Sequence, residues 1–267
     1  TGHGKDYRAR IAFGASTTTD DAEGEVLHSS PVPAWVLDSR RAQQALDAFL
    51  GPSQQLPPAY SAIKVAGRKA CDEARRGNVI ELAPRAIEVR KANLVGLGEQ
   101  EGAPFWDVDF SVSKGTYIRA LARDIGRAAG THAHLGALRR MRAGNLLVED
   151  CVPLEVLEQL GQRAALDPVR LLGHRFAFVD GDVAKGVANG RPLSADELAL
   201  HAFAVSAQNA CACTSGAMRS PAPPADGEAV SVIMDNTLKA LYAFSARTGR
   251  FDAACVFQGG VARGAGI

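Results

Sequence analysis

The sequence predicts an α+β fold, in which a mixed, largely antiparallel sheet carries flanking helices and a small, mostly β domain follows. Segments with a hydrophobic period of two occur both early and late in the chain. An amphipathic segment with helical spacing lies between them. The length of 267 residues is enough for one large domain and a smaller second one. The hydrophobic fraction of 46% and the charged fraction of 22% are typical of a water-soluble globular protein.

The clearest strand patterns alternate apolar and polar residues. Residues 7–14 place Tyr7 and Ile11 on one face and Arg8 and Arg10 on the other, which predicts a strand. Two further strands are predicted in the first half and three near the end of the chain: 86–97 and 105–113, joined by a turn at 98–102, and then 229–234, 237–245 and 250–257.

Helices are predicted between these strands from apolar spacing, caps and glycine stops. Ser39 is the expected cap of the first helix, and Gly130 is the expected end of the helix that starts near residue 116. A short helix near 131–137 is expected to lead into a strand at about 139–149. The predicted helices are 40–49, a basic segment between Gly67 and Gly77, 116–129, 131–137, 153–161 and 164–172. The expected domains are 1–150, a helical connection 151–173, and 174–267.

Charge and motifs narrow the classes of function. The net charge is only +1, but residues 114–142 contain seven Lys and Arg residues and one acid, Asp124. Such a basic face can hold phosphates, although a solvated helix face would give the same pattern. The sequence contains no Walker loop, dinucleotide fingerprint, serine-hydrolase elbow or spaced set of metal ligands, so neither cofactor nor metal is expected. We expect a cytoplasmic protein, because no signal peptide or membrane-spanning apolar run is evident.

A strand-turn-helix junction at residues 113–119 is the strongest candidate for chemistry. Lys114, the permissive Gly115 and Thr116 lead to Tyr117 and Arg119 at a predicted helix start. The free N–H groups and the two cationic side chains could hold an anion, and the Tyr117 ring could stack on a base and move a proton. Alternatively, Thr116 only caps the helix and Tyr117 only packs.

Four segments, in order and spacing, resemble the bacterial tRNA pseudouridine synthase B (TruB) family. The resemblance covers residues 1–150 well and residues 151–267 in outline, as a smaller RNA-binding-type domain. The segments are Lys5-Asp6-Tyr7 with the loop Thr17–Gly24; Pro57-Pro58-Ala59-Tyr60-Ser61-Ala62-Ile63-Lys64 with Gly67; Ser113–Arg119 with Asp124 and Gly126; and Leu138-Arg139-Arg140 with Gly144.

The resemblance implies a pseudouridine synthase fold and isomerisation of uridine 55 in the T arm of tRNA. The target uridine leaves the stack and enters a pocket, at a cost of a few kcal/mol. In that family an aspartate attacks covalently, the glycosidic bond breaks, the base turns, and a carbon–carbon bond to the ribose forms. The implied partner is the tRNA T-arm stem-loop, no cofactor or metal takes part, and a monomer is expected.

The resemblance also assigns roles to single residues. Tyr117 is expected to stack on the flipped base and is a candidate for the final proton abstraction, and Arg119 is expected to pair with the catalytic aspartate. Tyr7 and Leu138 are expected to line the base pocket, although both could simply pack in the core. The candidates for contacts with the RNA backbone are Lys64, Lys114, Arg123, Arg139 and Arg140.

The sequence departs from the family in two places. The catalytic aspartate of the family lies in a Gly-Thr-Leu-Asp-Pro motif upstream of the segment matched by Lys5-Asp6-Tyr7, and this motif does not occur here. Asp6, Asp20 and Asp21 lie in the wrong segments to replace it, so we expect an N-terminally truncated chain that is inactive alone. Cys71 stands where the family usually has an aromatic residue. Two alternatives stay open: a non-catalytic tRNA-binding or chaperone protein on the same scaffold, and an enzyme of another class without an RNA substrate.

Overall fold

The computed structural model describes residues 4–65, 67–78, 81–203, 218–220 and 222–264. The chain divides into two compact units, Thr1–Ala143 and Gly144–Ile267, which places the division before the expected boundary at residue 150. Within the described ranges, no helix has the length and apolar character needed to cross a membrane.

The first unit is built on an antiparallel sheet with helices on one side, which confirms the predicted fold class. Its five main strands run in the order β9-β1-β8-β7-β4, and every neighbouring pair is antiparallel. The elements of this unit are β1 (Lys5–Phe13), β2 (Ala15–Thr17), β3 (Val26–Ser29), α1 (Ser39–Asp47), β4 (Gly51–Gln55), β5 (Lys64–Val65), β6 (Arg68–Lys69), α2 (Ala70–Arg75), β7 (Arg85–Gln100), β8 (Ala103–Val112), α3 (Ile118–Ala128) and β9 (Ala133–Ala143), with a 3-10 turn at Ala34–Leu37.

The alternation predicted for β1 and β8 decides which face of the sheet is buried. Ile11 and Trp106 are cross-strand partners, and both are fully buried in a core that α1 and α3 cover. On the opposite face, Arg8 pairs with Asp109 at 2.8 Å. The β7–β8 hairpin closes at Glu101 and Gly102, both with positive φ, inside the predicted 98–102 turn.

Two local predictions in this unit were wrong. Asp38, not Ser39, caps α1, because its carboxylate accepts hydrogen bonds from the N–H groups of Arg40 and Arg41. The segment 131–137 is not a helix, since β9 already begins at Ala133. A Cβ at Gly126 of α3 would lie 2.6 Å from the Ala133 nitrogen, so this strand packs directly against the helix.

The second unit carries a seven-stranded sheet in the order β12-β17-β16-β15-β11-β13-β14, in which β11 and β15 are parallel. The strands predicted near 229–234, 237–245 and 250–257 are confirmed, and the last is longer than predicted. The elements are β10 (Leu146–Leu147), α4 (Leu154–Leu160), α5 (Pro168–Leu172), β11 (Arg175–Phe178), α6 (Gly181–Ala188), β12 (Leu193–Ser194), β13 (His201–Ala202), β14 (Met218–Arg219), β15 (Ala229–Met234), β16 (Thr237–Ser245) and β17 (Arg250–Ala262), with 3-10 turns at Val148–Asp150, Gly161–Ala164 and Ala195–Glu197.

Glu197 gives this unit a pH-dependent contribution to stability. Its carboxylate accepts hydrogen bonds from Arg191 at 2.6 Å and from the Ser194 N–H at 2.8 Å, and these lower its pKa from 4.5 to about 2. Because the pKa is lower in the folded chain, this stabilisation is present above pH 4.5 and is lost as the pH falls toward 2. We expect the free energy of unfolding of Glu197→Gln to fall less than that of the wild type between pH 4.5 and pH 2. Urea unfolding at several pH values measures this difference.

The matched control is Glu158→Gln, which removes an exposed carboxylate from α4 in the same unit. It should leave the acid dependence of the unfolding free energy as in the wild type. An unchanged dependence in Glu197→Gln would show that the Arg191 and Ser194 contacts do not stabilise the ionised carboxylate.

Candidate active site

The junction between β8 and α3 forms the turn expected from the sequence. Gly115 has φ +84°, a conformation that glycine adopts without strain, and the residue is exposed. The Ser113 hydroxyl accepts a hydrogen bond from the Glu88 N–H at 2.9 Å and lies 3.3 Å from the Thr116 hydroxyl. Thr116 therefore does not cap α3. The N-cap residue is Tyr117, which makes no side-chain capping bond.

Tyr117 is held by its backbone and packed by its ring. The Gln55 side chain accepts a hydrogen bond from the Tyr117 N–H at 2.9 Å and donates one to its carbonyl at 3.1 Å. The ring, which is partly buried, packs against a small apolar cluster of Ile63, Ala70 and Leu82. Tyr117 thus joins the start of α3 to the segment that contains the Pro-Pro-x-Tyr-Ser motif.

Arg119, in the first turn of α3, binds two loops at once. Its guanidinium lies 3.0 Å from Asp21 Oδ2, and it donates to the Thr19 carbonyl at 3.2 Å and to the Tyr60 carbonyl at 2.8 Å. The Arg119 and Asp21 side chains are 26% and 20% exposed. Arg119 therefore contacts a carboxylate of this chain, that of Asp21, which lies outside the motif that holds the catalytic aspartate in the family.

Arg123, one turn further along α3 and a candidate for contacts with the RNA backbone, is held by internal contacts. Its guanidinium lies 3.0 Å from Asp20 Oδ2 and from Asp124 Oδ1, donates to the Leu56 carbonyl at 2.8 Å, and is only 12% exposed. Burial raises the pKa of Asp20, and the attraction of Arg123 opposes this rise. These contacts occupy the Arg123 guanidinium internally, so the structure gives it the place of a loop anchor and not that of a free phosphate ligand.

Tyr7 and Leu138 lie on one face of the sheet. Tyr7 of β1 pairs with Arg140 of β9, and Ala9, two residues along, pairs with Leu138. Tyr7 is 8% exposed and belongs to the core, whereas Leu138 is 47% exposed. The carbon of the Arg140 guanidinium lies 5.5 Å from the centre of the Tyr7 ring. Core packing therefore accounts for Tyr7 but not for Leu138.

The other basic candidates are available to solvent. Lys64, Lys114, Arg139 and Arg140 are all exposed, and across the described ranges none forms an ion pair with a carboxylate. These four side chains can bind an incoming anion without breaking an internal ion pair.

Asp21 and Gln55 are site residues that the sequence reasoning missed. Asp21 lies 98 residues before Arg119, and Gln55 lies 62 residues before Tyr117. One signal was present: Asp21 belongs to a segment of the family resemblance, and Gln55 lies two residues before one. The motifs alone did not show which side chain meets which.

Two family models match consecutive parts of the chain. Residues 1–118 match the TruB family pseudouridylate synthase (N terminal domain), and residues 119–171 match the tRNA pseudouridylate synthase B C-terminal domain. The solved structure of an H/ACA RNP bound to a substrate RNA containing 2′-deoxyuridine has a similar fold, with a TM-score of 0.59 at 18% identity. A Cbf5-Nop10-Gar1 complex gives 0.58 at 20% identity, and each comparison covers 96% of this chain and 66% of the other.

Curated relatives named tRNA pseudouridine synthase B are similar in sequence. The protein from Bradyrhizobium diazoefficiens is 43% identical over 162 residues, which are 60% of this chain and 45% of the relative. The protein from Mycolicibacterium paratuberculosis is 38% identical over 196 residues, 73% of this chain and 66% of the relative. The chain thus spans about half to two thirds of the length of these relatives. With both family models matching in sequence order and this fold, the chain belongs to the TruB family of pseudouridylate synthases.

Proposed function

We propose that this protein acts in the cytoplasm as a monomeric tRNA pseudouridine synthase that converts uridine 55 in the T arm to pseudouridine. The arrangement around the start of α3 carries the proposal: Gln55 holds Tyr117 by its backbone, and Arg119, two residues later, contacts Asp21. The names of the sequence relatives support the reaction and the tRNA substrate.

The reaction needs a pocket for one flipped base and a surface for the RNA backbone. Tyr117 supplies a ring and a hydroxyl beside the proposed pocket, and Leu138 supplies an exposed apolar side chain on the sheet. Lys64, Lys114 and the Arg139–Arg140 pair supply cations for phosphates. No cofactor or metal has a role in this proposal.

The attacking carboxylate is the part of the reaction that these residues do not supply in the family's usual form. The Gly-Thr-Leu-Asp-Pro motif does not occur among residues 1–267. Asp21, the carboxylate on Arg119, accepts hydrogen bonds from its own loop, including the Glu23 N–H at 3.1 Å. We assign Asp21 to holding Arg119 in place and not to attacking the uridine.

We expect residues 1–267 alone to bind a T-arm stem-loop RNA but to form no pseudouridine. A completed enzyme, in which a synthase B segment with the Gly-Thr-Leu-Asp-Pro motif precedes Thr1, should form it. Binding is measured by filter retention at several salt concentrations, and product by nucleoside analysis.

The double change Arg139→Gln and Arg140→Gln should weaken the salt dependence of RNA binding. The slope of log binding constant against log salt concentration should fall by about one unit per lost phosphate contact.

The matched control for binding is Arg40→Gln, which removes an exposed arginine from α1 and should leave the slope unchanged. Product formed by residues 1–267 alone would contradict the assignment of Asp21, and Asp21→Asn would then show whether that carboxylate attacks. RNA binding without turnover in the completed enzyme would instead favour the non-catalytic alternative, a tRNA-binding or chaperone protein. An absence of salt-dependent RNA binding would favour an enzyme of another class.

A further inference from the structure

Gln55 is the only buried residue of the edge strand β4, and its side chain is polar. It is 3% exposed, while residues 52–54 of the same strand are exposed. A buried amide needs hydrogen-bond partners, and Gln55 finds two on a single residue, Tyr117. The side chain therefore bonds the backbone of Tyr117 much as a neighbouring strand would.

The two bonds fix the backbone at the point where strand geometry changes to helix geometry. Tyr117 is still extended, with φ −97° and ψ 112°, and its own side chain makes no capping bond. Its N–H is one of the four that α3 itself leaves without a partner, and Gln55 fills that need. Its carbonyl accepts both the helical bond from the Leu121 N–H, at 3.1 Å, and the bond from Gln55.

The turn before Tyr117 is otherwise weakly restrained. Lys114 and Gly115 are exposed, and a Cβ at Gly115 would meet nothing within 4 Å. Ser113 also restrains this turn, because its hydroxyl accepts from the Glu88 N–H of β7, its own N–H donates to the Glu88 carbonyl, and its hydroxyl lies 3.3 Å from that of Thr116. β4 pairs with β7, with Gln55 opposite Arg85. The contacts made by Gln55 and by Glu88 therefore come from neighbouring strands at the same edge of the sheet.

We propose that Gln55 is a positioning residue: its amide fixes the backbone of Tyr117, and thereby the place of the Tyr117 ring and of Arg119 two residues later. This inference rests on the proposed function. A displacement of about 1 Å at a reacting group can lower a rate about 100-fold without any loss of the group itself. The amide has this effect only because it both donates and accepts at one residue, which neither leucine nor glutamate at position 55 reproduces at neutral pH.

The test compares Gln55→Leu and Gln55→Glu with Gln54→Leu, a neighbouring and exposed glutamine of the same strand. In residues 1–267, hydrogen exchange of the Tyr117 amide should accelerate at least about 10-fold in both Gln55 variants relative to global unfolding and stay unchanged in Gln54→Leu. In the completed enzyme, kcat should fall about 10- to 100-fold in both Gln55 variants, with KM for the stem-loop within about two-fold of the wild type.

The outcomes separate the two ideas. A completed wild-type enzyme without turnover would contradict the proposed function. The exchange measurement would still show whether Gln55 fixes the backbone of Tyr117. An active wild type with unchanged kcat in Gln55→Leu would overturn the positioning role, even if the variant melts at a lower temperature. If Gln55→Leu does not fold, Gln55→Glu decides, since it keeps the size of the side chain and an acceptor for the Tyr117 N–H and, when ionised, replaces the donor by a charged oxygen.

Discussion

Replacing Arg119 by lysine in the completed enzyme is expected to lower kcat by at least about 100-fold. The guanidinium reaches three oxygens on two loops, those of Thr19, Asp21 and Tyr60. A lysine ammonium keeps the charge but cannot hold this planar, forked set of contacts, so both loops lose their common anchor. Single-turnover pseudouridine formation with saturating enzyme measures the chemical step separately from RNA binding.

Arg127→Lys is the matched control, because Arg127 lies on the same helix, is 65% exposed and pairs with Asp124 at 3.6 Å. It should leave the single-turnover rate within about two-fold of the wild type, as expected for an exposed ion pair. If Arg119→Lys were equally mild, charge alone at this position would suffice, and the loop contacts would have no catalytic importance.

The parts of the fold that the sequence predicted well are those fixed by local patterns. The alternation around Ile11 and Trp106 identifies a sheet with one buried face, because every second side chain of a strand points to the core. The helix after residue 116 follows from its apolar spacing and from Gly130, which ends it with φ +78°. These features depend on residues that are close to one another in the sequence, so sequence patterns can predict them.

The start of β9 was not predictable in this way. Ala133 begins a strand that pairs with Phe13 of β1 and packs against Gly126, whereas small residues followed by a histidine are equally compatible with a short helix. Tertiary contacts, the pairing with β1 and the close approach to α3, decide between the two. The same holds for Arg123, since its partner Asp20 lies 103 residues earlier in a loop.

The candidate site was predictable in its residues but not in its contacts. The family resemblance identified Tyr117 and Arg119, whereas the partners of these two residues, Gln55 and Asp21, became visible only in the structure. Sequence motifs indicate which side chains are needed, and tertiary packing determines which of them meet. The contact between Arg119 and Asp21, for example, joins residues that are 98 positions apart in the sequence.

Replacing Tyr117 by phenylalanine in the completed enzyme is expected to preserve RNA binding and to lower turnover by about 100- to 10,000-fold. Phenylalanine keeps the ring that packs on Ile63 and Leu82 and the backbone bonds to Gln55, so the fold and the stacking surface remain. Only the hydroxyl is lost, and a positioned proton-transfer group contributes a rate factor of this size. Filter binding to the stem-loop and single-turnover product formation measure the two effects separately.

Tyr242→Phe provides the contrast that makes this result interpretable. The Tyr242 hydroxyl donates to the Arg191 carbonyl at 3.0 Å in the second unit. Its removal should lower the free energy of unfolding by about 1 kcal/mol and leave turnover unchanged. Near-normal turnover in Tyr117→Phe would remove the hydroxyl from proton transfer and leave Tyr117 a stacking role. A loss of RNA binding in Tyr117→Phe would instead show that the Tyr117 hydroxyl contacts the RNA. The wild type and this variant share the ring and the backbone hydrogen bonds to Gln55.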